Sequence, residues 1–287
     1  MVGADVRRRG LVTSSPASAF TLIELLTVIA ILGVLAALTV PVLKNFAKSD
    51  ATIGASRQLL DAVARARQLA ISQRTTVYMV FVPPDFWNPV WVDASGTPTP
   101  AWGGLTSAQQ NMVTNNLLDK QLTGYNFLAY GAMGDQPGNH QWHYLDHWQT
   151  LPDGTFIVMA KFTNAPSQFY TINDLSNPGR SFNIYGFATN AVPFPTATNA
   201  PVVLPCVAFN YLGQLIPGAD AFGNYHDDYI PLAKGSIIYA MDPATRVFRF
   251  APPDVAEVPP DNSINAYNIV HIDRLTGRAV LEFQKVK

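Results

Sequence analysis

The chain has 287 residues, of which 48% are hydrophobic and 14% charged, and its formal net charge is −1. That length holds one large or two modest domains, and the near-neutral charge excludes a global pull toward nucleic acid or anionic lipid. A single cysteine, Cys206, excludes an intrachain disulfide, while 22 prolines and 19 glycines suit a turn-rich, β-rich domain better than a charged helical one.

Residues 1–19 form a short basic leader with Arg7, Arg8 and Arg9, ending in small residues. Phe20 to Pro41, FTLIELLTVIAILGVLAALTVP, then runs almost without charge; Glu24 is the exception. About 20 apolar residues are enough to cross a bilayer as a helix. The arginines hold the leading end in the cytoplasm, so the chain beyond Pro41 is expected outside it. An ordinary signal peptide would have a shorter apolar core with a small-residue cleavage site after it, and a plain signal anchor leaves Glu24 unexplained. An acidic side chain at mid-membrane costs roughly 2.5–3.5 kcal/mol on insertion scales, so Glu24 calls for a partner.

The stretch AFTLIELLTVIAILGVLAALTVPVL (19–43) resembles the prepilin N-terminus of type IV pilins and type II secretion pseudopilins. The resemblance implies cleavage by a prepilin peptidase between Ala19 and Phe20, methylation of the new Phe20 amine, and a place for Glu24 at the fifth position of the mature chain. It also implies the partner: the N-terminal ammonium of a neighbouring subunit, met in a low-dielectric bundle where each charge offsets the other's burial. Where the family usually has glycine before the cut, this chain has Ala19.

Pro41 matches the proline of many pilins and predicts a helix kink. Beyond it, Phe46, Ile53, Leu60, Val63, Ala66 and Ala70 recur at helical spacing, with Arg57, Arg65, Arg67 and Arg74 largely off the stripe. A helix from Phe20 to about Arg74 would be roughly 80 Å long. Its first half, 20–41, is the expected transmembrane and assembly segment, and 42–74 its amphipathic continuation against a β-rich extracytoplasmic domain, 75–287. The expected fold class is therefore α+β and pilin-like.

TTVYMVFV (75–82) predicts the first strand. Its junction with the helix, then LPDGTFIVMA (151–160), VAFNYLGQLI (207–216) and IVHIDRLTGRAVLEF (269–283), resemble in order the landmarks of H-type minor pseudopilins and their pilus-side relatives. The head is larger than theirs. Residues 83–150 read as an insert with one helix over about 106–120, and much of 164–205 as a second insert with strands at 168–172 and 181–187. Strands are also expected at 236–241 and 246–250, joined by DPAT. The enlarged form is similar to protein D of the Verru_Chthon gene cassettes.

Three polar clusters are candidate sites. His140, His143, Asp146 and His147 fall within eight residues; on a helix His143 and His147 would share a face, a spacing that can bind zinc. Interleaved Trp142, Tyr144 and Trp148 favour an aromatic surface loop instead. His226, Asp227 and Asp228 offer oxygen ligands of the kind calcium takes, without EF-hand spacing, and read more simply as a solvated turn. The tail carries Arg274, Arg278, Lys285 and Lys287 for a side-chain net of +2, a thin basic patch that could meet DNA phosphates. No cofactor is expected.

No nucleophile elbow, zinc-protease motif, P-loop or dinucleotide fingerprint is present, and Cys206 in VVLPCVAF reads as a buried strand residue; the chain does not read as an enzyme. The expectation is a minor pilin-like subunit, held in the inner membrane with its head in the periplasm and then assembled with other pilins or pseudopilins. A pilus-tip adhesin or DNA-capture subunit is one alternative. A membrane-anchored domain that never joins a filament is the other, and a secreted substrate is a further expected partner of the inserts.

Overall fold

The computed structural model describes residues 22–86, 106–132, 134–135, 140–199, 201–216, 223 and 225–284, with the side chains of 36–51 outside that description. Contacts divide the chain into two units, Met1–Ala47 and Lys48–Lys287. Helix α1, Leu22–Gln73, contributes to both. The kink expected at Pro41 lies outside the described side chains.

In the second unit α1 buries Ala55, Leu59, Ala62, Val63, Ala66 and Ala70. The face is a correction to the expected stripe: Leu59 is fully buried, Leu60 only partly, and Ile53 is 49% exposed. Small residues let the helix approach the sheet closely, and Ala55 and Ala62 mark the contact better than the larger Ile53. The helix stops at Arg74, whose φ of 50° is left-handed, just where the β-branched run begins.

That run is β1, Thr76–Phe81. After it come α2, Ser107–Asn116, and β2, Gly124–Tyr130. A capping box opens α2: Thr106 Oγ1 accepts from Gln109 N–H and Gln109 Oε1 accepts from Thr106 N–H at 2.8 Å. Short strands β3, Trp142–Tyr144, and β4, Gln149–Thr150, precede β5, Thr155–Ile157, and a five-residue helix α3, Met159–Thr163. Then follow β6, Phe169–Asn173; β7, Ser181–Tyr185; β8, Ala188–Pro193; β9, Pro201–Phe209; and β10, Leu215–Ile216. The chain closes with β11, Asp228–Ile238; β12, Asp254–Glu257; α4, Asn262–Asn265; β13, Asn268–Ile272; and β14, Ala279–Phe283.

One sheet has the order β10-β9-β1-β2-β3, with β4 also on β2 and β8 on β9; a second runs β12-β11-β13-β14, with β5 also on β11; β6 and β7 form a hairpin. All these pairings are antiparallel. The α+β reading of the sequence holds.

The central sheet is apolar on both faces. Val77, Met79 and Phe81 alternate toward α1 with Tyr125 and Phe127 of β2 and Val207 and Phe209 of β9. Val80, Leu128, Leu204 and Cys206 face the other way, onto Val113 and Leu117 of the α2 region. This double burial explains why β1 and β9 read as continuous apolar runs rather than alternating ones.

Residues 83–150, read as an insertion, supply β2, which pairs along the whole of β1 from Thr76↔Tyr130 to Phe81↔Tyr125. Strand β9 likewise begins at Pro201, ahead of the expected hairpin. Pro205 stands one residue past the last β1 partner, Cys206, so the β1 ladder asks no N–H of it. The predicted 151–160 strand is a short strand followed by α3. The strand expected at 236–241 is the end of the longer β11, and Arg246–Phe250 is not a strand: only Met241↔Phe248 bridges. The Asp242 carboxylate explains that compact turn, accepting from Ala244 and Thr245 N–H and from Arg249.

Candidate functional site

Every described side chain from Leu22 to Leu35 is exposed, including Leu22 at 82% and Val34 at 62%. Apart from Glu24 and Thr27 the stretch is apolar, so no single stripe separates a polar from an apolar face. Glu24 lies in the first turn of α1, where the positive end of the helix dipole favours a carboxylate. Thr27 Oγ1 donates to the Glu24 carbonyl at 2.9 Å. Ala19 and Phe20 lie outside the described residues. Among the described residues no helix is long and apolar enough to cross a membrane; the run expected to do so, 20–41, has described side chains only over 22–35.

The histidine-rich stretch is not a helix. Trp142–Tyr144 is the edge strand β3, so His143 and His147 do not share a helical face. Tyr144 Oη donates to Pro193 O at 2.7 Å, and the aromatic residues pack onto the sheet, which explains the extended backbone. His143 Nε2 lies 3.2 Å from Asp135 Oδ2. Burial works to raise the Asp135 carboxyl, but bonds from Ala132 N–H, His143 and Gln141 N–H outweigh it and hold it below the usual range. Asp146 has different partners: Arg65 Nη1 at 2.5 Å, Gln149 Nε2 at 2.8 Å and His147 N–H at 2.7 Å. Burial again pushes it up, and the His147 N–H and Arg65 bring it below the usual range. His140 packs beside Tyr130. Two acids thus serve two separate structural tasks, and among the described residues no group of three His, Cys, Asp or Glu is placed to hold a metal.

Residues 226–228 are not a solvated turn. Asp228 opens β11 and pairs with Lys161, a fully buried lysine on α3 whose Nζ also donates to Tyr185 O at 2.9 Å and lies 4.7 Å from the Phe187 ring centroid. Burial lowers the Lys161 pKa, against the opposing pull of Asp228. Asp227 meets His271 Nε2 at 2.9 Å and Arg274 N–H at 3.0 Å. Both carboxylates are drawn inward by donors from distant elements. Lys161 and His271 escaped the sequence reading. The signal for Lys161 was there, a lone charge inside the apolar FIVMAKF.

In the last hairpin, Arg274 donates its N–H to Asp227 and the Arg278 carbonyl accepts from Asp273 N–H at 3.0 Å; Lys285 and Lys287 lie outside the described residues. Glu282 Oε1 accepts from Arg180 at 2.7 Å. Asp273 binds Thr276 N–H and Oγ1, each at 2.7 Å, and closes the turn. Cys206 is buried, and burial pushes its thiol up to about 12, which leaves it unreactive.

The family described as Prokaryotic N-terminal methylation motif matches residues 15–40. The chain carries a prepilin-type motif. The match covers the described apolar stretch with Glu24 inside it, and it supports a prepilin-type pilin or pseudopilin processed by a prepilin peptidase and assembled with other pilins. No curated protein and no solved structure gives a significant match to the chain.

Proposed function

We propose that the protein is a minor, H-type pilin-like subunit of a type IV pilus or type II secretion pseudopilus. In this reading a prepilin peptidase cuts between Ala19 and Phe20, Phe20 is methylated, and the apolar segment holds the subunit in the inner membrane with its head outside the cytoplasm. Assembly then moves that segment into a bundle of like helices. The observation that carries the reading is the coincidence of the methylation motif with a helical stretch whose described side chains are all exposed. Apolar surface buried elsewhere is worth about 25 cal/mol per Å², and such a stretch has much of it to offer a neighbour.

Glu24 supplies register in this scheme. Placed in lipid alone it costs roughly 2.5–3.5 kcal/mol on insertion scales; beside the Phe20 ammonium of a neighbouring subunit that cost is offset. The test is Glu24→Ala in the native host. The variant is expected to be cleaved and to stay in the membrane, yet to be missing from sheared filaments. Wild-type levels of the variant in filaments would sink the role. The burial of Cys206 makes a companion test clean: a cysteine placed at Leu25 should crosslink neighbouring subunits, and a mature protein still beginning at Met1 would overturn the scheme.

A further inference from the structure

A cavity of about 400 Å³ lies between the loop after β1, the end of α3, the β7–β8 connection and β9. Pro84, Pro166, Pro205, Phe162 and Phe187 supply apolar walls. The walls are braced. Phe187 packs on Phe162 at 5.1 Å and stacks on Phe81 at 4.6 Å, and its N–H donates to Lys161 O at 2.9 Å. At Gly186 a Cβ would stand 2.0 Å from Asn164 O, so only glycine lets the strand connection close on the end of α3.

Asp85 is the one charged residue among those lining the cavity. It is partly buried, its φ of 57° is left-handed, and among the described residues no cation or hydrogen-bond donor meets its carboxylate. Burial raises its pKa above the usual carboxylate range, with no opposing contribution. Lys161, the buried cation of the adjoining helix α3, is already paired with Asp228. A partly desolvated carboxylate with no partner among the described residues favours a positive charge, and the walls favour an apolar body. The volume is that of a small-molecule site.

We propose that this cavity binds a small organic ammonium, a primary amine on an aromatic or ring-sized apolar body, with the Asp85 carboxylate receiving the charge and the proline and phenylalanine walls receiving the body. The test titrates 2-phenylethylammonium into the full chain in non-ionic detergent, followed by calorimetry or chemical shifts. Saturable binding is expected, weakened roughly tenfold or more in Asp85→Asn, as for loss of one charge-assisted bond. Asparagine tolerates the left-handed backbone, which keeps the variant foldable. Neutral 2-phenylethanol should bind roughly tenfold or more weakly than the amine, and Ala165→Trp, at the exposed rim, should abolish binding with Asp85 in place. No saturable binding to the wild type, equal binding of amine and alcohol, or unchanged affinity in Asp85→Asn each overturns the proposal. Tighter binding of a capped Pro-Lys-Pro peptide than of the free amine also overturns it, in favour of a protein partner. Should Asp85→Asn fail to fold, the amine-against-alcohol comparison on the wild type decides alone.

Discussion

Helix α1 contains two stretches that obey different rules. From 52 to 73 it is amphipathic, with Leu59, Val63, Ala66 and Ala70 buried and Arg57 and Arg65 outside. From 22 to 35 it is apolar except for Glu24 and Thr27, and every described side chain is exposed. The first kind of sequence satisfies its apolar residues within the chain, because one stripe is enough to meet one sheet. The second kind has almost no polar face to leave in water, and in the proposed scheme its complement is lipid or other helices. The comparison teaches that pattern, more than hydrophobicity, tells a packing helix from an assembling one.

The largest break in the comparison should come from Leu59→Ala, which opens a cavity under the helix and is expected to lower head stability by about 2–5 kcal/mol. Leu25→Ala removes the same atoms from an exposed position and should shift head stability by less than about 0.5 kcal/mol. Denaturant unfolding of the two variants side by side checks this; equal losses would erase the distinction.

Arg67→Ala should have a smaller effect. Its Nε donates to Gly213 O at 3.2 Å and to Thr276 O at 2.8 Å, joining the helix to two hairpin turns. A loss of about 1–2 kcal/mol is expected, since charged donors give stronger bonds but this one is partly exposed. Faster amide exchange at Gly213 and Gly277 would show which contact was lost.

The smallest effect concerns Arg65 and Asp146. Arg65 is 49% exposed, so the pair is worth no more than about 0.5–1 kcal/mol. Because the folded Asp146 pKa is depressed, this stability is fully present above the unfolded carboxylate value near 3.9 and is lost as pH falls through the folded value. Asp146→Asn should therefore be less stable than wild type at neutral pH and converge with it in acid. A gap that persisted at low pH would assign the loss to packing instead.

Much of the fold could be read in the chain because it is written locally. The β-branched run after Arg74, the Asn210–Gly213 turn and the TGR turn at 276–278 each carry their own backbone instructions. Strand β2 could not be read in the same way. GYNFLAY looks like any apolar segment among Pro- and Gly-rich loops, and its place beside β1 is set by a pairing across more than forty residues. The partners of the polar residues could not be read in advance for a related reason. His143 and Asp146 are neighbours in sequence, yet their partners Asp135 and Arg65 come from elsewhere, and no short spacing encodes that. The motif around Glu24 was legible because its context is contiguous: one acid in a long apolar run.

One close approach has a practical corollary for anyone wishing to watch the protein at work. A Cβ on Gly277 would sit 2.0 Å from Gly213 O, so the tips of two hairpins touch through bare backbone. An epitope or fluorophore grafted at either tip would wedge them apart and report on a damaged head. The bend at 178–179 is open, with nothing within 4 Å of a Cβ added at Gly179, but the φ of 100° there is left-handed, so the safer perch for a label is its exposed neighbour Pro178.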